Sequence, residues 1–221
     1  MRGRSLLKLC ILINAVTAVL VLGAWALMAS RGKNTALAAA GLASLKYFTV
    51  LSNIFNGAVC AVEAFQQEAV LKGRRSGVSR SVFLLRYVAV SSVGVTFLVV
   101  LLFLGPAVGL FKLYRGANLW FHLIIPVLTI AEFVLLEPRQ EVSMKETFLC
   151  MIPELLYGTV YLINILINGA GSWPDPNDIY GFAQWGIPVG IGIFAFIVLL
   201  GWCCGLLLRL GLRHLKTEAD E

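Results

Sequence analysis

Residues 82–104 read VFLLRYVAVSSVGVTFLVVLLFL. Arg86 is the one charge in this stretch, and every other residue is apolar, small, aromatic or hydroxyl-bearing. A helix needs about 20 mainly apolar residues to cross a hydrocarbon layer of about 30 Å. Backbone exposed to lipid must satisfy its own N–H and C=O groups, so the stretch is expected to be a spanning helix. Five further runs of this kind flank it, at Leu6–Met28, Leu45–Phe65, Leu119–Leu136, Phe148–Ile167 and Gly186–Leu208. The expected fold is an all-α membrane protein, a single bundle of six transmembrane helices.

Composition agrees with lipid as the solvent. Of the 221 residues, 59% are hydrophobic and 14% charged, against roughly 45–50% and 25% in soluble domains. So few charges cannot cover a water-facing surface, which excludes a soluble enzyme, a disordered chain and a disulfide-stapled domain. The net charge is +6. The cations flank the apolar runs, which is the pattern of membrane topology rather than of a nucleic-acid partner. The five cysteines form no CxxC pair and no Cys/His metal spacing, so no metal and no cofactor are expected. They read as small buried residues, with Cys203 and Cys204 as lesser candidates for acylation.

Arg2, Arg4 and Lys8 precede the first run, and Ala26–Ser30 resembles a signal-peptide cleavage site. A signal's apolar core spans about 7–15 residues. This run is longer, so it is read as a retained helix. The N-terminus, the second and fourth loops and the C-terminus together hold thirteen Lys and Arg, counting Arg86 at a loop edge, and the other side holds five. This asymmetry places both termini in the cytoplasm. Helices two, four and six then begin at the outer face. Short loops and the absence of glycosylation sequons suit a bacterial cytoplasmic membrane. Gly186 and Gly190, and Gly201 and Gly205, form small-xxx-small pairs expected to pack helix six closely. Trp25, Trp120, Trp173 and Trp185 form an outer aromatic belt.

Polar residues inside lipid are costly, so each raises a functional question. His122 is the one histidine within a run. Thr49, Ser52, Asn53, Asn56 and Glu63 share one face of helix two, being offset by 3, 4, 7 and 14 residues. Thr49 and His122 each lie about four residues inside helices that enter from the same side, roughly 6 Å deep. A hydroxyl becomes a nucleophile when a base removes its proton, and neutral histidine is the usual base. Pro126 leaves the His122 carbonyl without a helical partner and is expected to distort helix four there. Asn164 and Asn168 return to the same layer on helix five, with Tyr157 and Tyr161 deeper on nearly the same face, placed to orient the histidine, donate to an oxyanion or pair helices. Glu132 reads as a helix-locking or proton-relay residue, and Glu63 as an inner-edge residue reaching the headgroups. Asp175 and Asp178 lie in a proline-rich outer loop, read as turn chemistry or a cover for the site.

Tyr47-Phe-Thr-Val-Leu-Ser-Asn53 resembles the threonine motif of the androgen-induced-gene family of membrane hydrolases, which includes the androgen-dependent TFPI-regulating protein. His122-Leu-Ile-Ile-Pro-Val-Leu-Thr-Ile-Ala-Glu132 is similar to its histidine motif. Trp173-Pro-Asp-Pro with Tyr180-Gly181 resembles its outer loop. The short spacing and loops look more like the family's bacterial branch. The resemblance implies a lipid-ester hydrolase with Thr49 as nucleophile and His122 as base. Animal members cleave fatty acid esters of hydroxy fatty acids. Its expected partners are a lipid ester and the surrounding membrane lipids. Asn53, Asn56, Glu132, Tyr161, Asn164, Asn168 and Trp173 are the candidate binding or orienting residues. The competing expectation is a small lipid or solute transporter without hydrolytic activity, which needs a polar path open to both sides.

Overall fold

The computed structural model describes residues 2–30, 41–136, 140–172 and 176–220. Arg31, Lys33, Arg139 and residues 173–175, which include Trp173 and Asp175, lie outside them. Six helices are long and apolar enough to cross a membrane: α1 (Gly3–Ser30), α2 (Phe48–Leu71), α3 (Arg80–Leu104), α4 (Ala117–Leu135), α5 (Lys145–Asn168) and α6 (Ile187–His214). Among the described residues there is no strand. Each helix coincides with one apolar run. The chain is thus helical with six helices that could cross a membrane, consistent with an integral multi-pass membrane protein.

α3 is apolar around most of its circumference and lies at the centre, as such a helix must. Phe83, Tyr87, Val88 and Val90 pack with Phe133 of α4, Cys150 of α5 and Leu208 and Leu212 of α6. A second cluster joins α1, α2 and α4 through Val21, Met28, Val50, Phe121 and Ile125. α6 approaches closely because Gly201 and Gly205 lack side chains. A Cβ on Gly201 would lie 2.6 Å from the Cys150 carbonyl oxygen, and one on Gly205 2.8 Å from Cys150 Sγ. Ser91 Oγ donates to the Gly201 carbonyl at 2.9 Å and the Tyr87 hydroxyl to the Gly205 carbonyl at 2.6 Å. The expected Gly186–Gly190 pair is not a helix-packing pair. Gly186 has φ +97° and forms the turn before α6.

Two wide turns interrupt the α-helical ladder, at Val100–Leu104 of α3 and Trp120–Ile124 of α4. In each, an N–H reaches the carbonyl five residues back: Gly105 to Val100 and Ile125 to Trp120. The cause lies in the next residue. Pro106 and Pro126 carry no N–H for the carbonyls of Leu102 and His122, so the chain widens locally instead. The second wide turn contains His122. Between α3 and α4 run two single-turn helices, broken at Gly109 (φ +100°) and ended before Gly116 (φ +58°).

Four helices meet at a buried ionic cluster. Arg86 of α3 is fully buried, not a loop-edge cation. Its guanidinium reaches Glu132 of α4 at 2.8 Å and Glu63 of α2 at 3.1 Å. The Glu63 contact lies outside hydrogen-bond angles and is an ion pair only. Arg86 Nη1 also donates to Asn56 Oδ1 at 2.6 Å. Asn14 of α1 donates to Glu132 and to Gln67, both at 3.3 Å. Glu63 therefore does not reach headgroups, because a guanidinium from the neighbouring helix holds it inside. Without Arg86 the charge asymmetry is twelve against five, and its sign is unchanged.

Candidate active site

Tyr47 precedes α2 with an extended backbone, and its side chain makes no cap. The cap comes from across the bundle: the Phe48 N–H donates to the Tyr180 hydroxyl at 3.0 Å. Burial pushes the Tyr180 phenol up to about 12, so it remains a hydroxyl at neutral pH. Tyr180 is held in turn by α5. Its N–H donates to the Tyr161 hydroxyl at 3.1 Å, and the Tyr161 hydroxyl donates to Asp178. Asp178 also accepts the N–H groups of Phe182 and Ala183, each at 2.8 Å. The Tyr157 hydroxyl donates to the Lys46 carbonyl at 2.7 Å. Asn164 donates to Asn177 at 3.3 Å, and Asn168 to Asn164 at 2.8 Å. The loop is thereby fastened over the start of α2.

Under this roof lies a cavity of about 90 Å³ between α2, α3, α5 and α6. Its wall includes Thr49, Thr96, Glu154, Tyr157, Tyr180 and Phe194. Beside it, a groove of about 580 Å³ runs along α2 and α5, lined by exposed apolar residues such as Leu51, Leu156 and Val160. Phe48, Tyr157 and Tyr161 line both spaces and form the partition between them. A second groove of about 640 Å³ continues along α5, sharing Phe55, Pro153 and Leu156 with the first. Together they make an apolar trough along α5 that passes Phe48 at the start of α2.

Thr49 occupies the first turn of α2. Its carbonyl accepts from Ser52 Oγ at 3.2 Å and Asn53 Nδ2 at 2.8 Å. Its hydroxyl has no hydrogen bond to a described residue, and Thr49 lines the cavity. His122 is 2% exposed. Its Nδ1 lies 2.9 Å from the Leu113 carbonyl oxygen. A carbonyl only accepts, so Nδ1 carries the hydrogen and Nε2 is left as the basic lone pair. Asn53 ties the two segments together: its Nδ2 also donates to the Phe121 carbonyl at 3.2 Å. Thr49 and His122 thus lie on adjoining segments at one end of the bundle. They are not hydrogen-bonded to one another, and His122 is absent from the cavity wall.

The remaining candidates fall into two groups. Asn56 and Glu132 belong to the Arg86 cluster, and Asn56 Nδ2 also donates to Thr129 at 3.0 Å. Tyr161, Asn164 and Asn168 hold the loop rather than the histidine, whose Nδ1 partner is the Leu113 carbonyl. Sequence reasoning missed that carbonyl, because the main chain leaves no side-chain signal. It also missed Asn14 and Glu154, which were visible as polar residues inside apolar runs. Compared with known proteins, the chain matches no family model, no characterised sequence and no solved structure.

Proposed function

We propose that the protein is an intramembrane lipid-ester hydrolase, with Thr49 as nucleophile and His122 as base. The observation that carries this reading is the Thr49 hydroxyl, unengaged at a helix start, on a residue that lines an apolar cavity adjoining a lipid-facing groove. The His122 tautomer supports it, since Leu113 holds Nδ1–H as a carboxylate does in a catalytic triad. An ester enters from the groove, with its acyl chain in the trough and its carbonyl beside Thr49. Nε2 takes the hydroxyl proton as Oγ1 bonds to the carbonyl carbon. The positive end of the α2 dipole favours the developing oxyanion. His122 returns the proton to the departing alcohol. Water then cleaves the acyl-threonine with His122 again as base. The reading requires His122 Nε2 to come within hydrogen-bond reach of Thr49 Oγ1 when substrate is bound.

In this reading the site lies in the outer leaflet, both termini are cytoplasmic and the membrane is a bacterial cytoplasmic one. The charge asymmetry across the loops supports that orientation. The test is turnover of long-chain esters by purified protein in nanodiscs. Thr49→Ala and His122→Ala are each expected to abolish it while the protein remains helical and monodisperse. Full activity in either variant ends the proposal. Transport is the weaker reading. The polar groups that a transport path would need, those around Arg86, are sealed and largely paired with one another.

A further inference from the structure

Glu154 lines the Thr49 cavity and has no part in the scheme above. It is 2% exposed, and neither carboxyl oxygen has a hydrogen-bond partner among the described residues. No described cation pairs with it. Burying a polar group without a partner is unfavourable, and a folded chain normally supplies one. The neighbouring hydroxyls are committed elsewhere. Ser91 donates to the Gly201 carbonyl, Thr96 bonds to Ser52, Tyr157 donates to Lys46 and Tyr161 to Asp178. The facing residue on α6 is Gly201, where even a Cβ would come within 3.0 Å of Glu154 Oε2. Glycine at 201 leaves room for this carboxyl, and no side chain among the described residues hydrogen-bonds it.

We infer that Glu154 holds a free hydroxyl group of an uncharged amphiphile, with the head in the cavity and the chain in the groove. The substrate class is then a lipid ester that keeps an unesterified hydroxyl near the scissile bond, as partial glycerides do. The ester part of this inference rests on the hydrolase reading; the hydroxyl site does not. Glu154 precedes Tyr157 on α5 by just under one helical turn, about 4.5 Å of rise, and the Tyr157 hydroxyl marks the level of the α2 start. A hydroxyl a few bonds from an ester carbonyl at Thr49 spans that offset. The cavity of about 90 Å³ takes a head of a few heavy atoms but no acyl chain, and the groove takes the chain. Anionic lipids and free fatty acids would set like charge against the carboxyl. An ammonium would form a buried ion pair, whose desolvation cost its attraction need not repay. A hydroxyl both donates and accepts, and brings no charge.

The experiment measures binding of tritiated 1-O-hexadecylglycerol to the full-length protein in phosphatidylcholine nanodiscs, above protein-free nanodiscs. The ether cannot be hydrolysed, so binding is read apart from turnover. Hexadecyl methyl ether is expected to compete at least tenfold more weakly than unlabelled alkylglycerol. Glu154→Leu is expected to weaken binding at least tenfold, and the isosteric Glu154→Gln less than threefold. Equal competition by the methyl ether overturns the inference, as does unchanged binding in Glu154→Leu or stronger competition by hexadecylamine. The ligand comparison uses unmodified protein and does not depend on how the variants fold. Glu154-dependent binding without any ester turnover would leave this inference standing and remove the hydrolase. Equal turnover of monoolein and methyl oleate would do the reverse.

Discussion

The bundle buries polar groups in two places and treats them in opposite ways. Around Arg86, side chains from α1, α2, α3 and α4 meet one another: guanidinium with two carboxylates, amides with both. Around Thr49 and Glu154, a hydroxyl and a carboxyl without hydrogen-bond partners among the described residues belong to the wall of a small cavity under a tyrosine roof. Lipid imposes the same penalty on both. The first region meets much of it within the chain and so holds helices together, although Asn14 Oδ1, both Glu63 oxygens, Gln67 Nε2 and Arg86 Nε make no hydrogen bond among the described residues. The second leaves it unmet, which makes sense where something from outside the chain completes the set.

That contrast can be broken by mutation, starting where the effect is largest. Arg86→Met leaves Glu63 and Glu132 buried without their cation, and is expected to destabilise by about 3–5 kcal/mol. Reversible unfolding in mixed micelles measures it, and a wild-type curve would show that the cluster locks nothing. Thr49→Ala is expected to leave that unfolding curve within about 1 kcal/mol of wild type while ester turnover falls about a thousandfold or more. Loss of both together would make Thr49 a packing residue.

Gly158→Val tests the cavity wall. Even a Cβ at Gly158 would sit 1.9 Å from the Phe194 ring, so the ring must move. A cost of about 1–3 kcal/mol is expected, as in other overpacked cores, with weaker alkylglycerol binding in the protein that folds. Unchanged binding would mean that Phe194 yields away from the cavity. The smallest effect belongs to the roof. Tyr180→Phe removes the acceptor for the Phe48 N–H, and about 1 kcal/mol is the usual value of such a cap. A drop several times larger would show that the loop and α2 form one unit.

Much of the fold was legible, because spanning a membrane is a length requirement that each run meets alone. The site was legible only in its parts. Thr49 and His122 stand out as polar residues at matched depth, and Pro126 foretold a disturbed helix at His122, realised as the wide turn Trp120–Ile124. Arg86 was misread because a cation near the start of an apolar run looks like a topology signal. Its true partners, Glu63 and Glu132, come from other helices, and no local pattern reports that. Glu154 shows the same limit from the other side. Its type is visible within Phe148–Ile167, but its lack of a partner is a property of the surrounding helices.

The central claim is that Thr49 acts as a nucleophile with His122 as its base. Fluorophosphonate labelling of the protein in nanodiscs, followed by peptide mapping of the adduct, tests it most directly. The account predicts one adduct on Thr49 Oγ1, absent in Thr49→Ala and strongly reduced in His122→Ala. Labelling that survives Thr49→Ala, or no labelling of the folded wild-type protein, would contradict it.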